Sequence, residues 1–241
     1  MALLLAQKGY NLLLVARSEA ELQKLSVHIK SAYHVEVRYF LADLSDTGSV
    51  MRIAAWCTGL SVPVSILINN AGYGIWGNFD KLNLADQMHM IRVNIDAVVE
   101  LSHHLLPALK LQKQAYILNV SSTAAYQAVP TLAVYAASKS FVLAFSRALR
   151  YELKDTAVSV SCLCPGPTDT GFAHRAGMDA LAELAAKFNM TPDEVAGIGI
   201  RGMFSKKAEI VPGFLNKLSA AAARHSPKAF IERITAGLYR H

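Results

Sequence analysis

The stretch Tyr116-Ile-Leu-Asn-Val-Ser-Ser-Thr-Ala-Ala-Tyr-Gln-Ala-Val-Pro-Thr-Leu-Ala-Val-Tyr-Ala-Ala-Ser-Lys139 changes its period partway along. Residues 116–120 form a short apolar run, as in a strand buried on both faces. From 132 onward the pattern is helical and continues to 153. A strand feeding a helix is half of a β-α-β unit, and such units build parallel sheets. Tyr135 and Lys139 stand four residues apart, so their side chains share one helix face. An ammonium near a phenol favours the phenolate and draws its pKa down from about 10. A tyrosine tuned in this way serves as a general acid or base. Ser122, thirteen residues before the tyrosine, sits at the strand end and can hydrogen-bond the same substrate oxygen.

The same alternation spreads in both directions. Residues 2–8 read as the tail of a helix closed by Gly9. Residues 11–16 are a continuous apolar run, hence a buried strand. Ser18 and Glu21 form a capping box for a helix reaching about residue 32. Residues 34–40 alternate like a strand, which ends at Ala42-Asp43-Leu44. A helix is expected over 46–60, a strand over 64–68, and one amphipathic helix over 84–109. Downstream, 158–164 is a strand broken by Pro165-Gly166-Pro167, and 168–190 is expected to form a partly helical substrate lid. Thr191 caps a helix with Pro192 first and Glu194 third. A short strand at 209–212 and a helical extension over 213–241 finish the chain. The expected architecture is α/β: a Rossmann-like, doubly wound parallel sheet with helices on both faces, forming a single domain over 1–241.

Composition narrows the functional classes. The chain has 241 residues, 53% of them hydrophobic and 17% charged, which specifies a globular, core-rich protein. The net charge is +6, but the basic residues are scattered. That pattern suits an anionic small ligand or surface and not a nucleic-acid groove. No apolar run approaches the roughly 18 residues of a membrane span. Residues 1–6 lack the basic flank of a secretory signal. Cys57, Cys162 and Cys164 are an odd set without metal-ligand spacing, implying reduced thiols, no metal site and a cytoplasmic protein. His103 and His104 lack partners at ligand spacing and read as surface residues.

In open parallel sheets, ligands bind beyond the carboxyl ends of the strands. The residues at those ends are Arg17, Asp43, the 69–72 turn, Ser122 and Pro165-Gly166. Each has a plain reading when taken alone. Asn-Asn-Ala-Gly suits an ordinary turn. Arg17 at a helix start opposes the macrodipole unless an anion such as a cofactor 2′-phosphate sits beside it. Asn94 inside a helix reads as a surface or kinking residue. Tyr126 suits the cleft or simple packing equally. Five strand ends converging on one rim say more than any single motif.

Together these residues resemble the short-chain dehydrogenase/reductase family over nearly the whole chain. Asn69-Asn70-Ala71-Gly72 is similar to the family's turn after the fourth strand, and Asp43-Leu44 to its adenine-contacting acidic position. Asn94, Ser122, Tyr135 and Lys139 match the four catalytic positions in order. Pro165-Gly166 with Thr168 and Thr170 resembles the segment beside the nicotinamide. Arg17 looks like the basic residue of NADP(H)-preferring members. The stretches 163–172 and 211–213 look most like a DltE-like bacterial branch. The resemblance implies an NADP(H)-dependent oxidoreductase acting on a small hydrophobic carbonyl or alcohol. It implies that Tyr135 exchanges the proton, Lys139 lowers its pKa and holds the nicotinamide ribose, and Ser122 orients the substrate. It assigns Asn94 to a water linking Lys139 to solvent. Asn70, Ala71, Gly72, Tyr135 and Lys139 would line the cofactor. Homodimers or homotetramers through the helices at 84–110 and 132–153 are implied as well.

One departure stands out. The family begins with a strand and a glycine-rich loop, whereas here the sequence opens inside the helix that follows them. Two expectations follow: a start placed too late in an otherwise complete protein, or a short, catalytically inactive form with a binding or scaffold role. The tail over 213–241 interleaves Phe214, Leu215, Leu218, Phe230, Ile231, Ile234 and Leu238 with Lys217, Arg224, Lys228, Arg233 and Arg240. It is expected to pack on the domain or a subunit, with weak membrane-surface contact as the alternative.

Overall fold

The computed structural model describes residues 1–60, 62–169, 176–177 and 190–238, apart from the side chains of Phe230, Ile234 and Leu238. Thr170 and most of the expected lid therefore lie outside the described residues. The chain opens with α1 (Ala2–Ala6), β1 (Leu12–Ala16), α2 (Glu19–Tyr33), β2 (Val37–Leu41), α3 (Ser49–Gly59) and β3 (Ile66–Asn69). Then come α4 (Leu84–Ile91), a π-turn (Arg92–Asp96), α5 (Ala97–Lys110) and β4 (Ala115–Val120). A 3-10 turn (Thr123–Tyr126) leads into α6 (Ala133–Glu152) and β5 (Val158–Leu163). The chain continues through α7 (Pro192–Phe204), β6 (Glu209–Ile210), α8 (Phe214–His225) and α9 (Lys228–Leu238).

The caps follow the sequence chemistry. Ser18 Oγ accepts from the Glu21 amide at the start of α2. Thr191 and Glu194 satisfy one another's donors in a complete capping box on α7, with Pro192 in its first turn. Gly9 turns the chain after α1 at φ 83°, a conformation glycine adopts without strain. The expected helix over 84–109 is instead interrupted, because the ladder widens to a π-turn centred on Asn94. Such bulges redirect a side chain that has work to do elsewhere.

All pairing is parallel, but it is divided. β1 pairs with β2, and β3-β4-β5-β6 form a separate ladder. The apolar layers nevertheless span both parts. Leu13, Val15 and Phe40 pack with Leu67, Ile117 and Val160 on one face. Leu12, Val37 and Leu14 pack with Leu118, Leu163 and Ile68 on the other. Helices cover both faces, as a doubly wound sheet requires.

Buried amides fix the central register. Asn69 and Asn119 stand opposite one another in the ladder, and Asn69 Nδ2 donates to Asn119 Oδ1 at 2.8 Å. Asn119 Nδ2 continues to Ser146 Oγ on α6 at 2.9 Å, and Asn69 Nδ2 also reaches Ser102 Oγ on α5 at 3.2 Å. A slip of one residue would strand these amides in an apolar layer. The carboxyl ends of β3 and β4 are thereby held level, and the site is built there.

Candidate functional site

Ser121 and Ser122 follow β4 directly, and their side chains do different things. Ser121 is buried, and its hydroxyl donates to the Lys139 carbonyl at 2.6 Å, tying the strand end to α6. Ser122 caps the 3-10 turn, accepting from the Ala124 amide at 3.1 Å. Its hydroxyl is part-exposed on the rim. Ser140 Oγ donates to the Ala125 carbonyl at 2.8 Å, so the turn is pinned to α6 at both ends.

Tyr135 and Lys139 lie on the inner face of α6, as their spacing requires, and both are buried. Lys139 Nζ is 5.8 Å from the centroid of the Tyr135 ring. It donates to the Val120 carbonyl at 3.1 Å, which aims the amine at the end of β4. Only 4% of Lys139 is exposed. Burial draws its pKa down to about 8, so the amine still carries its proton at neutral pH.

Asn94 is fully buried at 0% exposure, which overturns the surface reading. Its Oδ1 accepts from the Tyr73 amide at 3.1 Å. Its Nδ2 donates to the Tyr73 carbonyl at 2.9 Å and to Ser138 Oγ at 3.0 Å. One side chain therefore clamps the loop after β3 to α6, and the π-turn is what lets it reach both. Gly72 passes over this clamp. A Cβ there would lie 2.9 Å from Lys139 Nζ and 3.0 Å from Asn94 Oδ1. Asn70, Ala71 and Gly72 are exposed on the outer side of the same rim.

At the other end of the rim, Arg17 follows β1 and Asp43 follows β2. Arg17 donates to Asp43 at 3.3 Å. Burial pushes the Asp43 carboxyl up, but bonds from the Ser45 hydroxyl and amide and from Arg17 hold it below the usual range. Leu44 packs partly buried against the apolar layer below. On the far side, the Pro165 carbonyl accepts from the Thr123 amide at 2.8 Å, joining the Pro165-Gly166 segment to the Ser122 turn. Thr168 Oγ1 donates to the Gly166 carbonyl at 3.0 Å.

A second cluster escaped the sequence reading. Glu209 on β6 accepts from Tyr126 at 2.7 Å, from Arg147 at 3.0 Å, and from Arg224 through both oxygens at 2.6 Å. The Arg224 guanidinium stacks 4.6 Å from the Tyr126 ring centroid. Burial, Cys164 and Glu209 together keep the Tyr126 phenol well above its ordinary pKa. Tyr126 thus anchors the Ser122 turn to β6 and α8 rather than serving the cleft. The only sequence signal was an acidic residue beginning an apolar strand, which is too weak to single out.

Among the described residues no group of side chains could hold a metal. None of their helices is long and apolar enough to cross a membrane. His103 and His104 face one another as an exposed edge-to-face pair, 5.6 Å between ring centroids.

Residues 1–180 match the short chain dehydrogenase family model. Ketoacyl reductase HetN from Nostoc sp. is 28% identical over 239 residues, covering 95% of this chain and 81% of that protein. Very-long-chain 3-oxoacyl-CoA reductase-A from Danio rerio is 30% identical over 165 residues, covering 67% of this chain and 51% of that protein. The chain spans about half the length of several curated relatives it matches. A short-chain dehydrogenase from Sphingobium yanoikuyae, solved in complex with NADPH, superposes with a TM-score of 0.81 at 24% identity. That superposition covers 95% of this chain and 91% of the other.

Proposed function

Because the chain belongs to the short-chain dehydrogenase family of oxidoreductases, we propose that it transfers a hydride between NADP(H) and a small hydrophobic carbonyl or alcohol. One observation carries the reading: Tyr135, Lys139 and the Asn94 clamp meet beneath a Gly72 that leaves no room for a side chain. Lys139 is an ammonium at neutral pH in a dry setting, where its field on a nearby phenol is strong. It lowers the Tyr135 pKa, and Tyr135 gives or takes the proton on the substrate oxygen. Ser122, on the rim turn, orients that oxygen. Asn94 holds the Gly72 loop in place. The relationship to a DltE-like branch rests on the 163–172 and 211–213 stretches.

The cofactor fits this rim in part. Lys139, Tyr135 and the bare Gly72 backbone suit a nicotinamide ribose, with Pro165, Gly166 and Thr168 beside it. Asp43, Leu44, Asn70 and Ala71 suit the adenosine end. Arg17 suits a 2′-phosphate, for which it would exchange its exposed pair with Asp43. Among the described residues no glycine-rich turn follows a strand where the diphosphate would lie. When bound, the cofactor supplies or accepts the hydride, and the protein supplies position and electrostatics.

The test is NADPH-dependent reduction of a panel of apolar ketones by the wild type and Tyr135→Phe. Loss of turnover with NADPH affinity retained supports the assignment, and undiminished turnover removes it. A second reading is a catalytically inactive member with a binding role. It predicts no rise in melting temperature at saturating NADPH.

Exposed Leu84, Met88, Phe141 and Tyr151 on α4 and α6 support assembly into a homodimer or homotetramer, measurable by sedimentation. Phe214, Leu215 and Leu218 are 79%, 62% and 59% exposed. The tail meets the domain through Ala220, Arg224 and Thr235, and these exposed residues suit a subunit, with a membrane surface as the alternative. Liposome flotation with and without residues 213–241 separates the two.

A further inference from the structure

Three features that the site has not used meet between the start of α4 and the start of α6. The first is a cavity of about 60 Å³ lined by Gly77, Leu82, Gln87, Met90, Thr131 and Val134. It has room for a few waters or for the short tip of a longer ligand. Met90 and Val134 also pack in the apolar cluster that holds Tyr135. The cavity therefore adjoins the wall of the proposed reaction centre. No charged side chain lines it.

The second feature is Gln87, a polar residue on the buried side of α4 that is only 3% exposed. Its Nε2 donates to the Leu82 carbonyl at 3.4 Å, which fixes the way round the amide sits. Its Oε1 is buried and has no partner among the described residues. A leucine would fill similar space without the cost of an unmet acceptor. The third feature is Thr131, a β-branched residue held in the left-handed region at φ 66°. Its carbonyl accepts from the Gly77 amide at 2.9 Å, which ties it to the loop carrying Gly77. Gly77 itself sits at φ 148°, and a Cβ there would lie 2.9 Å from Leu82 Cδ2. Strain and an unmet acceptor at one small cavity are costs that persist where binding uses them.

We propose that this cavity receives the far end of the substrate, and that Gln87 sets specificity there by accepting a hydrogen bond from a neutral hydroxyl or amide N–H. The donor must come from the ligand, because Nε2 is already engaged and the unused capacity of Gln87 is that of an acceptor. The Thr131 hydroxyl is taken by the Pro130 carbonyl. A cation or anion is disfavoured, since no lining residue carries the opposite charge. The rest of the wall is largely aliphatic, which suits an apolar chain ending in one small polar group. A buried acceptor left unpaired discriminates against an analogue lacking the donor far more strongly than an apolar pocket rejects a missing methylene. That the occupant is the substrate rests on the hydride-transfer reading, whereas the need of Gln87 for a donor does not.

The experiment has two arms, both on the full chain. The first needs no cofactor: the Gln87 side-chain amide and the Met90 methyl are followed by NMR during titration with 1-butanol and with its isomer diethyl ether, which has no donor. Butanol shifts both signals, and ether at the same concentration gives less than about a third of the effect. Gln87→Leu abolishes the Met90 response to butanol. Without ligand it melts at least about 2 °C above the wild type, because an unmet acceptor has gone, whereas a glutamine that served only packing would lose stability on replacement. The second arm compares kcat/KM for straight-chain methyl ketones of about five to ten carbons with and without a terminal hydroxyl. The wild type favours the hydroxylated member of the best-fitting pair at least about tenfold, and Gln87→Leu loses that preference. Equal shifts by butanol and ether, no shift by either, a destabilised Gln87→Leu, or turnover indifferent to the hydroxyl each overturn the proposal. A wild type that turns over none of the ketones counts against hydride transfer alone, and the NMR arm still decides the role of Gln87.

Discussion

Replacing Lys139 by methionine should stabilise the protein while abolishing turnover, and the stabilisation should depend on pH in a defined way. Burial lowers the Lys139 pKa from its ordinary 10.5 to about 8. That difference amounts to on the order of 3 kcal/mol of penalty on the charged form. The sign follows from linkage. Between pH 8 and 10.5 the unfolded chain binds a proton at this position that the folded chain has released. The Lys139 contribution to stability therefore rises with pH across that window and is at its most unfavourable below it. Methionine has a similar length and no charge. Its substitution also removes the bond from Nζ to the Val120 carbonyl, a loss of about 1 kcal/mol. Below pH 8 the variant should therefore be more stable by about 2 kcal/mol. Above pH 10.5 the advantage should vanish. Urea unfolding of both proteins at a series of pH values gives the difference directly, and common titrations cancel. A variant less stable than wild type at pH 7, or a difference that ignores pH, would refute the account of Lys139 as a buried cation held for function at a cost in stability.

Gly72→Ala places a methyl against Lys139 Nζ and Asn94 Oδ1. It should lower stability by about 1–3 kcal/mol and turnover more than tenfold, seen by comparing urea midpoints with initial rates. Glu209→Gln weakens the anchor shared by Tyr126, Arg147 and Arg224, two of them partly exposed, and should cost about 1–2 kcal/mol in urea unfolding. Burial raises the Glu209 pKa, but Tyr126, Arg224 and Arg147 hold it below its ordinary 4.5. Its stabilisation should be complete above pH 4.5 and fade as pH falls through the lowered value, a slope missing from the glutamine variant. Arg17→Ala should weaken NADPH binding more than tenfold and leave NADH binding unchanged by calorimetry, since only the former carries a 2′-phosphate. Cys57, Cys162 and Cys164 are all buried, so a thiol reagent should label none of them in the native protein and all three in urea.

What could be read from the sequence was what repeats or what has a fixed spacing. The stretches 11–16, 64–68 and 158–164 gave three strands, because strands covered on both faces carry few polar residues to disguise them. Thr191, Pro192 and Glu194 gave a helix start because capping chemistry is local. Tyr135 and Lys139 were legible for the same reason: four residues on a helix fix a shared face. Asn94 was legible only by resemblance. Periodicity ran straight through it, and the π-turn exists because a distant partner, the Tyr73 backbone, claims its amide. Glu209 and Tyr126 are 83 residues apart, a pairing that only the tertiary fold creates. For Phe214, Leu215 and Leu218 the partner stayed open, since an amphipathic pattern says a face wants covering and not what covers it.

The two clusters bear on one another through the Ser122 turn. Its first residue caps it, its middle is bonded to α6, and its last residue is held by Glu209, which also holds α8 through Arg224. A movement of α8 therefore changes the acceptor geometry at Tyr126, four residues from Ser122. Lys139 and Asn94, by contrast, are held from below by β4, Ser138 and the Tyr73 loop, none of which contacts Glu209. The rim is thus supported from two sides, which meet where the Ser122 turn is bonded to α6. The half proposed to tune proton transfer is buried and central. The half proposed to orient the substrate oxygen hangs on a carboxylate shared with α8. Substitutions at Glu209 should accordingly raise KM before they lower kcat, and substitutions at Asn94 should do the reverse. Steady-state kinetics on Glu209→Gln and Asn94→Ala decide it, and parallel losses in both parameters would mean that the rim moves as one piece.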